Sequence, residues 1–221
     1  MASFFNYDNK FVSAFNQIIN VFCLSLFFLF SSIPIFTIGA SGSALYYTMN
    51  KVVRHNRGYI WHEYWSSFRA NFKQGTVVGL IFLVFAALMG VDLYVLRIMA
   101  AAGSALSQLW IVFVMLLIFE LMVWLYVYPN IARFTNTNRA IIKNSMIMAI
   151  ANLPQTILML VILAALLAGA YYLPLYLSFL NLFIPGVFVW IQNRIMEKIL
   201  RKYMSEEDIA AEDERNREYL N

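Results

Sequence analysis

The sequence holds one cysteine, Cys23, two histidines, and few charges: Asp, Glu, Lys and Arg make up 13% of its 221 residues, against about 25% in soluble domains. A single thiol excludes a disulfide framework and a cysteine metal cluster. The shortage of charge, set beside 62% hydrophobic residues, excludes an ordinary soluble domain, whose apolar share is about 45–50%. No G-x-x-x-x-G-K-[ST] loop is present to cradle a nucleotide's phosphates. Ser25, Ser31, Ser32 and Ser41 have no recognisable His and Asp partners, so nucleophilic catalysis has no support. His55 and His62 lie seven apart, with Glu63 beside the second. That is not the i, i+4 spacing of a zinc helix, and no metal or other cofactor is expected. The net charge of +4 comes from cations scattered over separate segments, which disfavours nucleic acid as a partner.

What is present is a series of apolar runs, each of about 20 residues, the length that crosses a bilayer as a helix. Five spans are expected at about 18–38, 76–99, 107–130, 149–171 and 174–194. The fold class is therefore all-α, a polytopic transmembrane bundle forming one membrane domain over 1–203, followed by an acidic polar tail at 204–221 that reads as a solvated or frayed helix. The first run has a signal-peptide look, because Lys10 precedes it and small residues follow at 40–44, but the four later spans favour a membrane segment. All sixteen Lys and Arg except Lys10 and Arg97 fall between spans one and two, after span three, or at and beyond the end of span five. The positive-inside rule then places the N-terminus outside and the C-terminus in the cytoplasm. Segment 39–73 is too polar to cross, and it is expected to lie at the interface, or to re-enter over 33–50 if protein buries its backbone. Gly39 and Gly42 would permit a sharp turn after Pro34, and Gly75 with Gly79 forms a small-xxx-small pair suited to close helix contact.

Within the spans, Asp92 and Glu120 are the notable carboxylates, each costing about 2.5–3.5 kcal/mol to insert. By helical rise Asp92 lies about 24 Å from the inner face and Glu120 about 20 Å from the outer one. Asn181 and Arg97 are the expected company of Asp92, and Asn152 and Gln155 that of Glu120. Structural glue and an intramembrane site are evenly weighted for Glu120, and glue is favoured for Asp92. Pro154 falls in the first turns of span four, Pro174 marks an outer turn, and Pro185 is expected to kink span five. The cations Lys51, Arg54, Arg57, Arg69, Lys73, Arg133, Arg139 and Lys143 form the expected contact surface for anionic lipid or a partner, with Tyr59, Trp61 and Trp65 among them.

The stretch PIFTIGASGSALYYTMNKVVRHNRGYIWHEYWSSFRANFKQGT at 34–76, with YVYPNIARFTNTNRAIIKNSMIMAIANLPQTI at 126–157 and WIQNRIMEKIL at 190–200, resembles the YesL-like family of bacterial integral membrane proteins. The resemblance implies a Gram-positive cell membrane and an accessory role beside carbohydrate ABC importers. The E-A-A…G signature by which ABC permeases dock their ATPase is missing from both 39–73 and 131–148. The leading expectation is a non-catalytic accessory protein that binds importer permease or ATPase subunits through those two segments. An independent small-solute or ion-coupled transporter using Glu120 and Asp92, and a membrane partner of a sensor kinase, are the alternatives. A second copy of the chain is a further candidate partner.

Overall fold

The computed structural model describes residues 10–102, 104–172 and 175–218. Among them are eight α-helices and no strand. Helix α1 (Lys10–Ser31) is apolar along most of its length and stops short of Pro34, whose ring disfavours helical backbone at Ile33. A 3-10 turn over Ile35–Thr37 starts α2 (Ile38–Thr48), which widens into a π-helical turn over Met49–Arg54. Asn56 and Gly58 take positive φ, 52° and 80°, and swing the chain into α3 (Ile60–Ala101). Glycine accepts such a backbone without steric cost.

At 42 residues, α3 is about 63 Å long, roughly twice the hydrocarbon thickness. Next come α4 (Trp110–Arg133), α5 (Asn138–Ala151) and α6 (Leu153–Tyr172). Thr137 caps α5 by accepting from Ala140 N–H, and α5 gives way to α6 at Asn152. Pro154 is in the first turn of α6, where its missing N–H is no loss. A 3-10 stretch over Leu175–Phe183 leads to α7 (Ile184–Leu200), and a short turn at Arg201–Tyr203 precedes α8 (Glu206–Glu218).

Among the described residues, four helices are long and apolar enough to cross a membrane: Ile60–Ala101, Ala105–Arg133, Leu153–Tyr172 and Leu177–Tyr203. Phe15–Ser31 is a shorter apolar helix. Their outward faces carry large exposed apolar side chains such as Leu88, Val91, Met115, Ile118, Val161 and Leu167. That surface would be a liability in water and is the expected one in lipid.

Helix α1 folds back on α2 as a hairpin. Val21 and Leu24 pack with Ala44, Leu45, Met49 and Val53, and near the turn the Ser31 hydroxyl donates to Ser41 Oγ at 2.9 Å and meets Tyr64 Oη at 2.6 Å. Helix α2 is buried all round, from Gly39 to Leu45, so it lies inside the bundle against α3 and α4. Of the two expectations for this segment, a surface-lying helix does not describe 38–54, whose burial meets the condition set for re-entry over 33–50. The small side chains of 39–44 let helices approach, and 60–73 are the first part of α3.

Gly39 and Gly42 do not make the turn. A Cβ on Gly39 would strike the carbonyl oxygen of Gly75, and one on Gly75 would meet Ala40 N and Cα at 2.7 Å. A Cβ on Gly42 would press on the Tyr128 ring at 2.9 Å. The Gly75/Gly79 pair does form a close contact, with Gly39 of α2. Pro185 is corrected in form: it sits in the first turn of α7, where the chain passes from 3-10 to α geometry, and it interrupts no continuous α-helix. Pro174 lies outside the described residues.

Candidate functional site

The cations of four elements converge on one end of the bundle, termed here the basic end. Arg133 closes α4 and is largely buried. Its Nη2 donates to Glu197 Oε2 of α7 at 2.9 Å, while Nη1 and Nη2 grip Glu212 of α8 at 2.9 and 2.8 Å in a two-pronged fork. Tyr46 of α2 donates to the other Glu197 oxygen at 2.9 Å. Each carboxylate is thereby compensated, as burial in a low dielectric requires. Burial pushes the Glu212 carboxyl up, but the hydrogen bonds and charge of Arg133 outweigh it and hold the group below the usual carboxylate range. Arg201 also pairs with Asp213. The acidic tail is therefore not simply solvated: Glu212 is 3% exposed. A cation already half out of water at the end of α4 draws it in.

Beside this network lies a cavity of about 290 Å³ lined by Tyr47, Asn50, Lys51, Arg57, Arg133 and Glu212. Lys51 pairs with Glu63 at 2.7 Å, and although burial is the largest single influence and opposes its charge, the interactions with Glu63 and Tyr47 together outweigh it and raise its pKa. Three buried donors there have no acceptor: Asn50 Nδ2, Arg57 Nε and Arg133 Nε. His55 stands behind the wall, its Nδ1 against the Asn50 carbonyl at 2.9 Å. Burial lowers the pKa of His55 and the charges of Arg54 and Arg57 add to the effect, so its neutral form is favoured at pH 7.

A second cavity, of about 390 Å³, joins Gln17 of α1 with Arg54, Trp190, Asn193, Arg194 and Lys198. Arg54 donates to Asn193 O and Oδ1 at 3.2 and 3.3 Å, and Arg194 stacks on Trp190 at 4.1 Å. Of the remaining predicted contact residues, Arg69, Lys73, Arg139 and Lys143 are exposed. Arg69 stands with Trp61, His62, Trp65 and Ser66 on the exposed face at the start of α3. So Lys51, Arg57 and Arg133 come together, Arg54 joins a neighbouring cavity, and the others form an open surface.

Residues 21–93 match the model of a family described as a protein of unknown function, DUF624. No curated protein and no solved structure matches the chain. The matched stretch contains the second half of α1, α2, the π-helical turn and most of α3, and so carries Tyr47, Asn50, Lys51, Arg57 and the Gly39–Gly75 contact.

Inside the apolar region the proposed polar groupings are not formed. Glu120 sits in an apolar groove of about 420 Å³ with Ile38, Phe82, Ala86, Leu117 and Trp124, and its Oε2 has no partner. Asn152 is occupied elsewhere. Its Nδ2 donates to Met148 O at 3.0 Å and its carbonyl accepts from Thr156, stitching the α5–α6 break. Gln155 makes no hydrogen bond among the described residues. Nor is Asp92 joined to Asn181 or Arg97 there; Asp92 is half-buried, Arg97 exposed, and Asn181 Oδ1 buried without a partner.

Sequence reasoning passed over Tyr46, Asn50, Glu197 and Glu212. The available signal was the buried stripe Phe188, Gln192, Asn193, Met196 and Glu197 of α7, polar groups at helical spacing in an apolar run.

Proposed function

We propose that the chain is a non-catalytic accessory protein of a bacterial cell membrane that docks a partner subunit at its basic end. The carrying observation is the exposed face at the start of α3, where Tyr59 is 84% and Trp61 62% exposed beside Arg69. Apolar rings and an unpaired guanidinium on a rigid helix suit an acidic or aromatic counterpart. The resemblance stated above supplies the partner class, the permease or ATPase subunits of a carbohydrate ABC importer.

The positive-inside rule makes the basic end cytoplasmic. Gln17 and Arg54 line one cavity, which supports an α1–α2 hairpin that enters and leaves from that side, with α3, α4, α6 and α7 as four crossings. Both termini are then cytoplasmic, in place of the outside N-terminus that five crossings demand.

The test is co-purification from the native membrane in mild detergent. The wild-type chain is expected to retain importer subunits, and the double charge reversal Arg69→Glu, Lys73→Glu, at two exposed side chains, to lose them. If no importer subunit co-purifies, or if the reversal leaves the association intact, this reading fails.

The unpartnered Glu120 Oε2 favours a second reading, an ion-coupled transporter with its site between α3 and α4. Solute flux abolished by Glu120→Gln would establish it; flux that is absent or unchanged would remove it.

A further inference from the structure

The geometry points to a phosphate-group site in the cavity of Tyr47, Asn50, Lys51, Arg57 and Arg133, with Glu212 of α8 seated against it as a displaceable plug. The walls are rich in donors. Arg57 makes no ion pair among the described residues, its Nε and the Nε of Arg133 are buried without acceptors, and Asn50, 4% exposed, holds an unpartnered Nδ2. Such a wall fits a ligand that only accepts hydrogen bonds and carries negative charge.

Charge balance narrows the class. Lys51 is paired with Glu63 and Arg133 with both Glu197 and Glu212, which leaves Arg57 as the wall cation with no ion pair among the described residues. A phosphate monoester or diester brings at least one negative charge and can take the same guanidinium fork that Glu212 now fills. It also offers further oxygens for Asn50 and Arg57, which a carboxylate held by Arg133 does not reach.

Apart from the Arg133 fork, the plug has few attachments. Glu212 is the one buried residue among the described side chains of α8, and Asp213 adds a pair to the half-exposed Arg201. Exchange of Glu212 for phosphate would free α8 from the bundle and present its acidic face. The site stands apart from the partner-docking reading, because Arg69 and Lys73 take no part in it.

The experiment uses the full-length chain in phosphatidylcholine nanodiscs. Inorganic phosphate is titrated by calorimetry at constant ionic strength, and amide exchange over 206–214 is followed by mass spectrometry. Binding is expected, with exchange of α8 rising as phosphate is added. Glu212→Gln should tighten binding at least tenfold, and Arg57→Ala, which leaves the Arg133–Glu212 pair in place, should abolish it while α8 stays protected. A parallel set of nanodiscs containing phosphatidic acid separates the sources of the phosphate. Loss of α8 protection there without added phosphate identifies a lipid headgroup, and loss only with dissolved phosphate identifies a soluble ligand. If neither probe changes α8 exchange, or if Arg57→Ala binds as the wild type does, the proposal is overturned.

Discussion

Arg133 stands at the end of α4 with its side chain 16% exposed and meets two carboxylates there. One guanidinium joins α4 to α7 and α8, and through Glu197 it reaches Tyr46 of α2. Removing one member of a buried ion network leaves the others charged and unpaired, which costs about 3–5 kcal/mol. Arg133→Leu is therefore expected to lower the unfolding midpoint in detergent sharply. Tyr46→Phe, which deletes only a hydrogen bond to a charged acceptor, should cost about 1.5–3 kcal/mol. Equal losses from the two variants would show that Arg133 is not the hub. The sequence showed Arg133 as one loop cation among several, and its carboxylates are 64 and 79 residues away. Contacts at that separation have no periodic signature, so only the chemical oddity of Glu197 in an apolar stripe hinted at them.

Among the elements, α2 and α8 departed furthest from expectation, for opposite reasons. The polarity of 39–73 argued against a crossing, but the run Gly39-Ala-Ser-Gly-Ser-Ala44 was better evidence for helix contact than for an interfacial surface. Gly75→Ala tests this. Its methyl would meet α2 backbone at 2.7 Å, and overpacking of this kind costs about 1–3 kcal/mol. Gly90→Ala, with nothing within 4 Å of the added carbon, should be neutral or slightly stabilising in the same thermal assay. Helix α8 looked solvated because its composition is acidic, and composition does not reveal that one carboxylate has a buried cation waiting. Because the pKa of Glu212 is lower when docked than in the free chain, docking contributes stability above the ordinary carboxylate pKa, and this is lost as pH falls through the docked value. The protection of amides over 206–214, taken relative to their slower intrinsic exchange at acid pH, should fall when the pH is taken from neutral to below the usual carboxylate range. Protection unchanged at acid pH would mean that the Arg133 pair does not hold the helix.

For the whole molecule, the length of α3 and the hairpin before it together set the topology. The all-helical class and the apolar runs were legible from composition and run length, since lipid leaves few other solutions for a backbone. The path of α1 was not, because an apolar helix that folds back on a buried one has the same run length as a helix that goes through. Under the proposed topology α1 turns back: a single crossing by α1 would carry Gln17 away from Arg54, and both line one cavity. Epitope tags at the two termini and a third inserted after Ala102 turn this into a measurement. In intact spheroplasts treated with external protease, both terminal tags should survive and the Ala102 tag should be cut. Digestion of the N-terminal tag while the C-terminal tag survives would make α1 a fifth crossing, and the contacts of Val21 and Leu24 with α2 would then have to form across a different arrangement. Survival of both termini would also fix the basic end on the cytoplasmic side, where an ATPase subunit and soluble phosphate esters are both found.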